Sequence, residues 1–442
     1  MNNNYIDSIL NKAFFANAKC HTKTHEQEGR NGMKRTLIII LFLFSICLFS
    51  QESAIVQRDR AIVRNGPGSF FQILAELEKG TSFTIIERDN GWLQIQKNEL
   101  EGYVSKKATV PRKTSDDIFS KMGRQKTDLR VSRHGMSAGV KGFATNFTKK
   151  FDGSPIFLNL YLQQILDARA YKNFKKETYL GFNRKANYKK FIIPSTEVKD
   201  YFTFPEEGMG IGIASRIASL GIYGNLALTE YVNQVGNIVV EATDVYDINY
   251  KFFILDIDEV NGYSCPGGIV FITLGMLKMI RTEAELACVL AHEIAHVAQH
   301  HGMLEMEERK HHIMADNAFG EMEEEMDSMG IAQDEEFLSV EAEMEELCFS
   351  IYETIVNGRL QAYEKEADEL AVLYASRAGY NVRHMLNLLQ RLKHSSSKTN
   401  NEHYTQEQIE ERIERISKNL SSLPLSSDLF DHRDRWNRRS GF

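Results

Sequence analysis

Residues 283–302 read EAELACVLAHEIAHVAQHHG, and the fold is read outward from them. Apolar residues recur at helical spacing. Thr282 with Glu285 three residues on predicts a capping box, and Gly302 sits where the helix is expected to stop. Residues four apart on a helix share a face, so His292 and His296 can reach one ion, with the Glu293 carboxylate beside them. LACVLA on one side, and Ile294, Ala295, Val297 and Ala298 within, indicate a buried helix, where ionisable groups seldom lack a partner or a metal. Two imidazoles and a carboxylate at HExxH spacing are what a hydrolytic zinc site takes from one helix. The competing reading places the same residues on a solvated face, and the apolar surroundings argue against it.

A catalytic zinc needs a third protein ligand and an open fourth position. Downstream, NGRLQAYEKEADELAVLYASRAGY predicts a helix ended by Gly379. Within it Glu364 and Asp368 stand one turn apart. One carboxylate can bind the metal while the other orients a ligand histidine. An ordinary charged helix face accounts for EKEAD equally well, so the residues alone leave this open.

Upstream of the key helix, KFFILDIDEV predicts a buried strand that breaks at Asn261-Gly262, and GIVFITLG a second strand. Between them Pro266-Gly267-Gly268 lacks two β-carbons, so another backbone can approach closely there. Residues 227–239 predict a helix. Downstream of the key helix, residues 305–346 are rich in Glu with Met and Leu interleaved. They read as a solvated helical insertion, with a movable lid as the alternative. Helices are expected again at 382–392 and after Thr405, which with Gln408 forms a capping pair.

The N-terminal part has a different character. From 54 to 111 the pattern is all-β, with Gly80, Gly91 and Gly102 in turns between short runs such as SFTIIE, GWLQIQ and EGYVS. The stretch VRNGPGSFFQILAELEKGTSFTIIERDNGWLQIQ, with Arg64-Asn65-Gly66-Pro67-Gly68, Lys79-Gly80 and Gly91-Trp92, resembles a bacterial SH3-like domain. The resemblance implies an exported protein and a module for cell-wall peptides, such as those of peptidoglycan, or for targeting. A spacer barrel without a ligand is the alternative, since fold does not fix function. Residues 112–205 read as a connector region, partly helical where Ser154-Pro155 opens IFLNLYLQQILDA.

Before the barrel, Lys34 and Arg35 precede an apolar run at 37–49 and small Ser50, the pattern of a secretory signal peptide. Residues 1–50 are therefore expected to be an over-extended leader plus signal, with the true start at Met33. An uncleaved anchor associated with the membrane, or lipidation at Cys47, are the alternatives. Cys265, Cys288 and Cys348 form no disulfide framework and no CxxC pair. A net charge of −7 with 26% charged residues gives no basic surface, so nucleic acid is not an expected partner.

The segment DEVNGYSCPGGIVFITLGMLKMIRTEAELACVLAHEIAHVAQHH, with NGRLQAYEKEADELAVLYASRAGY, resembles the gluzincin metallopeptidase family that contains HtpX, BepA and the CAAX prenyl endopeptidase. The similarity covers about residues 206–420. It implies one Zn2+ per chain on His292, His296 and Glu364, with Glu293 as general base and Asp368 behind a ligand histidine. It further implies a substrate edge at Pro266, Gly267, Gly268, Ile269 and Val270. Two departures stand out. Gly262 replaces the alanine of the family's NAFA segment, and no His-Pro pair precedes Arg412-Ile413. His403 and Arg412 are the nearest counterparts of a transition-state stabiliser. His300, His301, His311 and His312 are read as non-ligands, although His301 matches a family position.

The expected protein is thus multidomain: a small all-β SH3-like barrel, then a mainly α zincin domain of α+β type with a short antiparallel sheet, then a tail at 421–442. The expected function is that of an exported, periplasmic or envelope-associated zinc metalloendopeptidase. It would hydrolyse unfolded or misassembled envelope proteins with a zinc-bound water activated by Glu293. The alternative is a latent or non-cleaving zinc protein that acts as a cell-wall-docked chaperone.

Overall fold

The computed structural model describes residues 52–110, 145–191, 204–307, 335–396 and 405–442, apart from 59, 90, 164, 165, 246 and 360. The expected leader, residues 308–334 of the acidic insertion, His311, His312 and His403 lie outside the described residues.

Six strands form the first sheet: β1 (Ser53–Ile55), β2 (Arg60–Arg64), β3 (Ile73–Glu78), β4 (Ser82–Asp89), β5 (Trp92–Lys97) and β6 (Leu100–Ser105). They run antiparallel in the order β1-β4-β5-β6-β2-β3. Alternating residues such as Ala61, Val63, Phe83, Ile85, Leu93 and Ile95 fill its core, as a period of two requires. Gly80 and Gly91 make the turns at φ of 85° and 101°, where a β-carbon would be strained.

The helices α1 (Pro155–Leu162), α2 (Ala168–Thr178), α3 (Arg184–Tyr188) and α4 (Phe204–Ala218) come after this sheet. Ser154 caps α1 by accepting the Phe157 N–H at 3.2 Å. Phe157 and Tyr161 are buried, so this part of the connector is core and not spacer. Helix α5 (Leu226–Val240) leads to β7 (Lys251–Leu255), β8 (Gly262–Cys265) and β9 (Ile269–Thr273).

This second sheet has the order β7-β9-β8. The β8·β9 pair is antiparallel, as expected of the whole sheet, but β7·β9 is parallel. The reason is β9 itself. All five residues of IVFIT are buried, and a strand so apolar gains most from the central position, covered on both edges and both faces. Phe252, Ile254, Val270 and Ile272 face one helical layer with α5; Phe253, Leu255, Ile269 and Phe271 face another with α1 and α4. The PGG turn lets α4 cross it closely: a β-carbon at Gly210 would lie 1.8 Å from Pro266 O.

The key helix is α7 (Glu283–Ala298), reached through α6 (Leu274–Met279). Thr282 Oγ1 accepts the Glu285 N–H at 3.1 Å, but the Glu285 carboxylate takes the Arg281 N–H and the Arg391 guanidinium, so the capping box is only half made. Helix α7 also stops earlier than Gly302. His300 adopts φ of 56° and donates its N–H to Val297 O, and Gly302 lies inside the next helix, α8 (His301–Glu307). Histidine is among the side chains that tolerate this left-handed conformation.

The remaining helices are α9 (Glu335–Asn357), α10 (Gln361–Ala378), α11 (Arg383–Ser396), α12 (Gln406–Ser422) and α13 (Arg433–Ser440). Gly379, at φ of 99°, ends α10, and Thr405 with Gln408 caps α12 as a full box. The segment expected as a tail, 421–442, packs onto the core. Trp436 is buried in the main core, and Arg435 of α13 pairs with Glu283 at the start of α7. No helix among the described residues is long and apolar enough to cross a membrane.

The barrel is joined to the helical part through the loop that carries its signature. Arg64 is fully buried and donates to Phe71 O at 2.8 Å and Asp247 O at 3.1 Å. Arg60 reaches Asp247 Oδ2 at 3.1 Å, and Ser69 donates to Asn237 Oδ1 at 3.0 Å. Phe70 packs edge-on to Tyr171, and Lys107 donates to Glu241 O and Thr243 O. Burial lowers the pKa of Arg64 to about 10 although Asp247 raises it, in keeping with a dry seam.

Candidate metal centre

Helix α7 presents His292 and His296 on one face, and α10 packs across it to bring in Glu364. The His292 and His296 Nε2 atoms are 3.1 Å apart. Glu364 Oε2 lies 3.3 Å from the first and Oε1 3.3 Å from the second. Ligands at 2.0–2.1 Å from a tetrahedral zinc stand about 3.3 Å from one another, so the spacings among the two Nε2 atoms and the Glu364 carboxylate suit such a site. Buried Glu364 Oε2 has no hydrogen-bond partner, an orphan that a cation satisfies. Among the described residues this is the group of histidines, cysteines and carboxylates able to hold a metal.

Electrostatics favour a cation there. Burial opposes charge on His292, yet the Glu364 and Asp368 carboxylates draw its pKa up to about 10. Burial also opposes charge on Glu364, but the two histidines hold it well below the usual carboxylate range. For His296, burial dominates and keeps the ring neutral. Together these describe a dry pocket in which the Glu364 and Asp368 carboxylates favour positive charge beside a neutral His296.

Asp368 is fully buried, with Oδ1 3.1 Å from His292 Nδ1. It does not stand alone. Arg412 donates from Nε and Nη2 at 3.0 and 2.8 Å, and Arg415 from Nη2 at 2.6 Å. Arg412 and His292 hold the Asp368 carboxyl far below its ordinary range against the effect of burial. Arg412, expected as a transition-state stabiliser, anchors Asp368 and also lines the pocket of His292 and Glu293, with Nη1 4.0 Å from Glu364 Oε2. Arg415 was missed, though three-residue spacing on one helix face is readable from RIER.

Glu293 is 8% exposed, and burial pushes its carboxyl up, opposed by His292. Its Oε1 would be 2.6 Å from a β-carbon at residue 262, so glycine there leaves the carboxylate its room. The departure from the family's alanine therefore lies against the candidate base.

The expected substrate edge at 266–270 falls on two different elements. Ile269 and Val270 belong to β9, hydrogen-bonded on both sides, and Pro266–Gly268 is a single 3-10 turn. The outer strand on the cleft side is β8, with Asn261, Gly262, Tyr263 and Ser264 lining the pocket that holds His292 and Glu293. Four residues reading GYSC carry no alternation, so β8 was not legible as a strand. Arg359, after Gly358 at φ of 97°, donates to Ser264 O at 2.6 Å across the cleft.

Residues 227–420 match the family described as Peptidase family M48, and residues 59–110 the Bacterial SH3 domain. Over 83 residues the chain is 36% identical to the beta-barrel assembly-enhancing protease of Yersinia pestis and 34% identical to that of Escherichia coli (strain K12). Each match covers 19% of this chain and 17% of the relative. Over 73 residues it is 37% identical to the mitochondrial metalloendopeptidase OMA1 of Schizosaccharomyces pombe, covering 16% of this chain and 22% of the relative. The relatives are thus matched over a small part of their length. Residues 227–420 are a peptidase family M48 domain, and the chain carries a bacterial SH3 domain ahead of it at residues 59–110.

Proposed function

We propose that the chain is a zinc-dependent metalloendopeptidase of the cell envelope, acting on unfolded or misassembled proteins. The observation that carries this is the triangle of His292 Nε2, His296 Nε2 and Glu364 beside the buried Glu293 carboxylate. A zinc ion held by those three residues supplies Lewis acidity, lowering the pKa of a water to about 7 and polarising a carbonyl. Glu293 takes the proton from the attacking water and delivers it to the leaving amine. Asp368, braced by Arg412 and Arg415, holds the ring of His292 in the productive tautomer.

Substrate adds as an extended strand along β8, its main chain paired with residues 261–264. Main-chain pairing reads extension more than side chains, which suits unfolded polypeptides. That envelope proteins are the substrates rests on the names of the bacterial relatives and on the export signal expected at 33–50. Because the loop Arg64–Phe71 is packed into the peptidase part, any cell-wall ligand of the barrel uses its other faces, where Ile73, Leu74 and Ile86 are exposed.

A latent protein is the second reading, and Arg359 favours it: an incoming strand has to displace its guanidinium from Ser264 O. One assay separates the two. Purified chain with zinc is expected to degrade casein, to stop on chelation, and to recover when zinc is restored. Zinc binding with intact casein supports the latent protein, and cleavage that survives chelation contradicts the metal mechanism.

A further inference from the structure

We propose that His301 and Glu366 are positioning residues for the second metal-ligating histidine, His296. The inference rests on the reading of His292, His296 and Glu364 as the metal site. A neutral imidazole that offers Nε2 to a metal carries its proton on Nδ1, and the partner of that proton fixes the ring. For His292 that partner is Asp368. For His296 the atom facing Nδ1 is His301 Nδ1, 2.9 Å away. Two Nδ1 atoms at this distance share one proton. If His296 donates it, His301 accepts with a bare Nδ1 and carries its own proton on Nε2. That Nε2 lies 3.3 Å from Glu366 Oε2, which completes a chain from carboxylate to imidazole to ligand.

The backbone is shaped for this contact. On a continuous helix, five residues turn the direction by about 140°, so His301 would face away from His296. The break at His300, with φ of 56°, starts α8 on a new axis and brings the ring of His301 back to 4.9 Å from that of His296. His301 is fully buried, and its other side rests on Tyr363, ring centroids 4.6 Å apart. Helix α10 therefore supplies one ligand, Glu364, and the carboxylates behind the two histidines, Asp368 at 3.1 Å from His292 Nδ1 and Glu366 at 3.3 Å from His301 Nε2.

The test is zinc affinity by competition with a chromophoric chelator, with the visible spectrum of the Co2+-substituted protein as a second readout. His301→Ala is expected to weaken zinc binding by about 10–100-fold and to change the Co2+ spectrum. In His301→Asn, the amide oxygen sits where Nδ1 was and can accept the His296 proton. It is expected to recover most of the loss, a rescue that packing alone does not give. Glu366→Gln is expected to lie between wild type and His301→Ala, and it serves with His301→Asn if the alanine variant fails to fold. Wild-type affinity in His301→Ala, or no recovery in His301→Asn, overturns the proposal. Absence of zinc binding by the wild-type protein overturns the metal site itself, a separate outcome.

Discussion

Glu293→Gln is expected to reduce casein hydrolysis by at least about 1,000-fold, within the range of a general acid–base group, while zinc content stays that of wild type. Glutamine has the shape of glutamate and touches the same neighbours, but it cannot accept the proton of the attacking water. The surroundings of residue 293 suit the proposed base. The side chain is buried, its pKa is raised by desolvation, and the absence of a side chain at Gly262 leaves its oxygen exposed to the cleft beside β8. A carboxyl raised in this way is a better proton acceptor than one in water. Hydrolysis within about tenfold of wild type would remove Glu293 from the mechanism, since even weak general bases contribute more.

The second large effect concerns stability and lies at the other end of the same helix. Glu283, the first residue of α7, has no solvent exposure. Its carboxylate accepts from Arg435 Nε at 2.6 Å and again from Nη2, from the Tyr231 hydroxyl at 2.5 Å and from the Tyr380 hydroxyl at 2.8 Å. Arg435 also donates to Thr178 at 3.0 Å and lies over the ring of Phe174 at 4.4 Å. Removing one member of a buried pair leaves the other charged, dry and unmatched. Arg435→Ala is therefore expected to cost about 3–5 kcal/mol in urea unfolding. The double variant Glu283→Gln with Arg435→Met removes both charges and is expected to lose clearly less. A loss below about 1 kcal/mol in Arg435→Ala would show that the pair does not hold α13 to α7.

What the sequence made legible follows the range of the interaction. His292, Glu293 and His296 are readable because four-residue spacing fixes a helix face; Glu364 and Asp368 share a face by the same spacing, but only the family resemblance singles them out. The all-β barrel is readable from its short β-rich runs and the turns at Gly80 and Gly91, whereas Gly102, expected in a turn, lies inside β6 opposite Ile95. Contacts set by tertiary packing are not. His301 is five residues from His296, and the two meet only because the chain breaks at His300. The partner of Glu283 is 152 residues away on a segment read as tail. The signature loop of the barrel is legible as a family motif, but not that its Arg64 and Phe70 pack into the peptidase part. The strand taken for the substrate edge was the most apolar one, and that same apolarity places it in the centre of the sheet.

The central claim is that His292, His296 and Glu364 hold one zinc ion per chain. Metal analysis of purified protein after zinc loading and removal of excess tests it most directly, with wild type, Glu293→Gln and Glu364→Ala side by side. The account predicts about one zinc per chain in wild type and Glu293→Gln, and a near-complete loss in Glu364→Ala, because two histidines alone make a weak site. Full zinc occupancy in Glu364→Ala, or none in wild type, would contradict it.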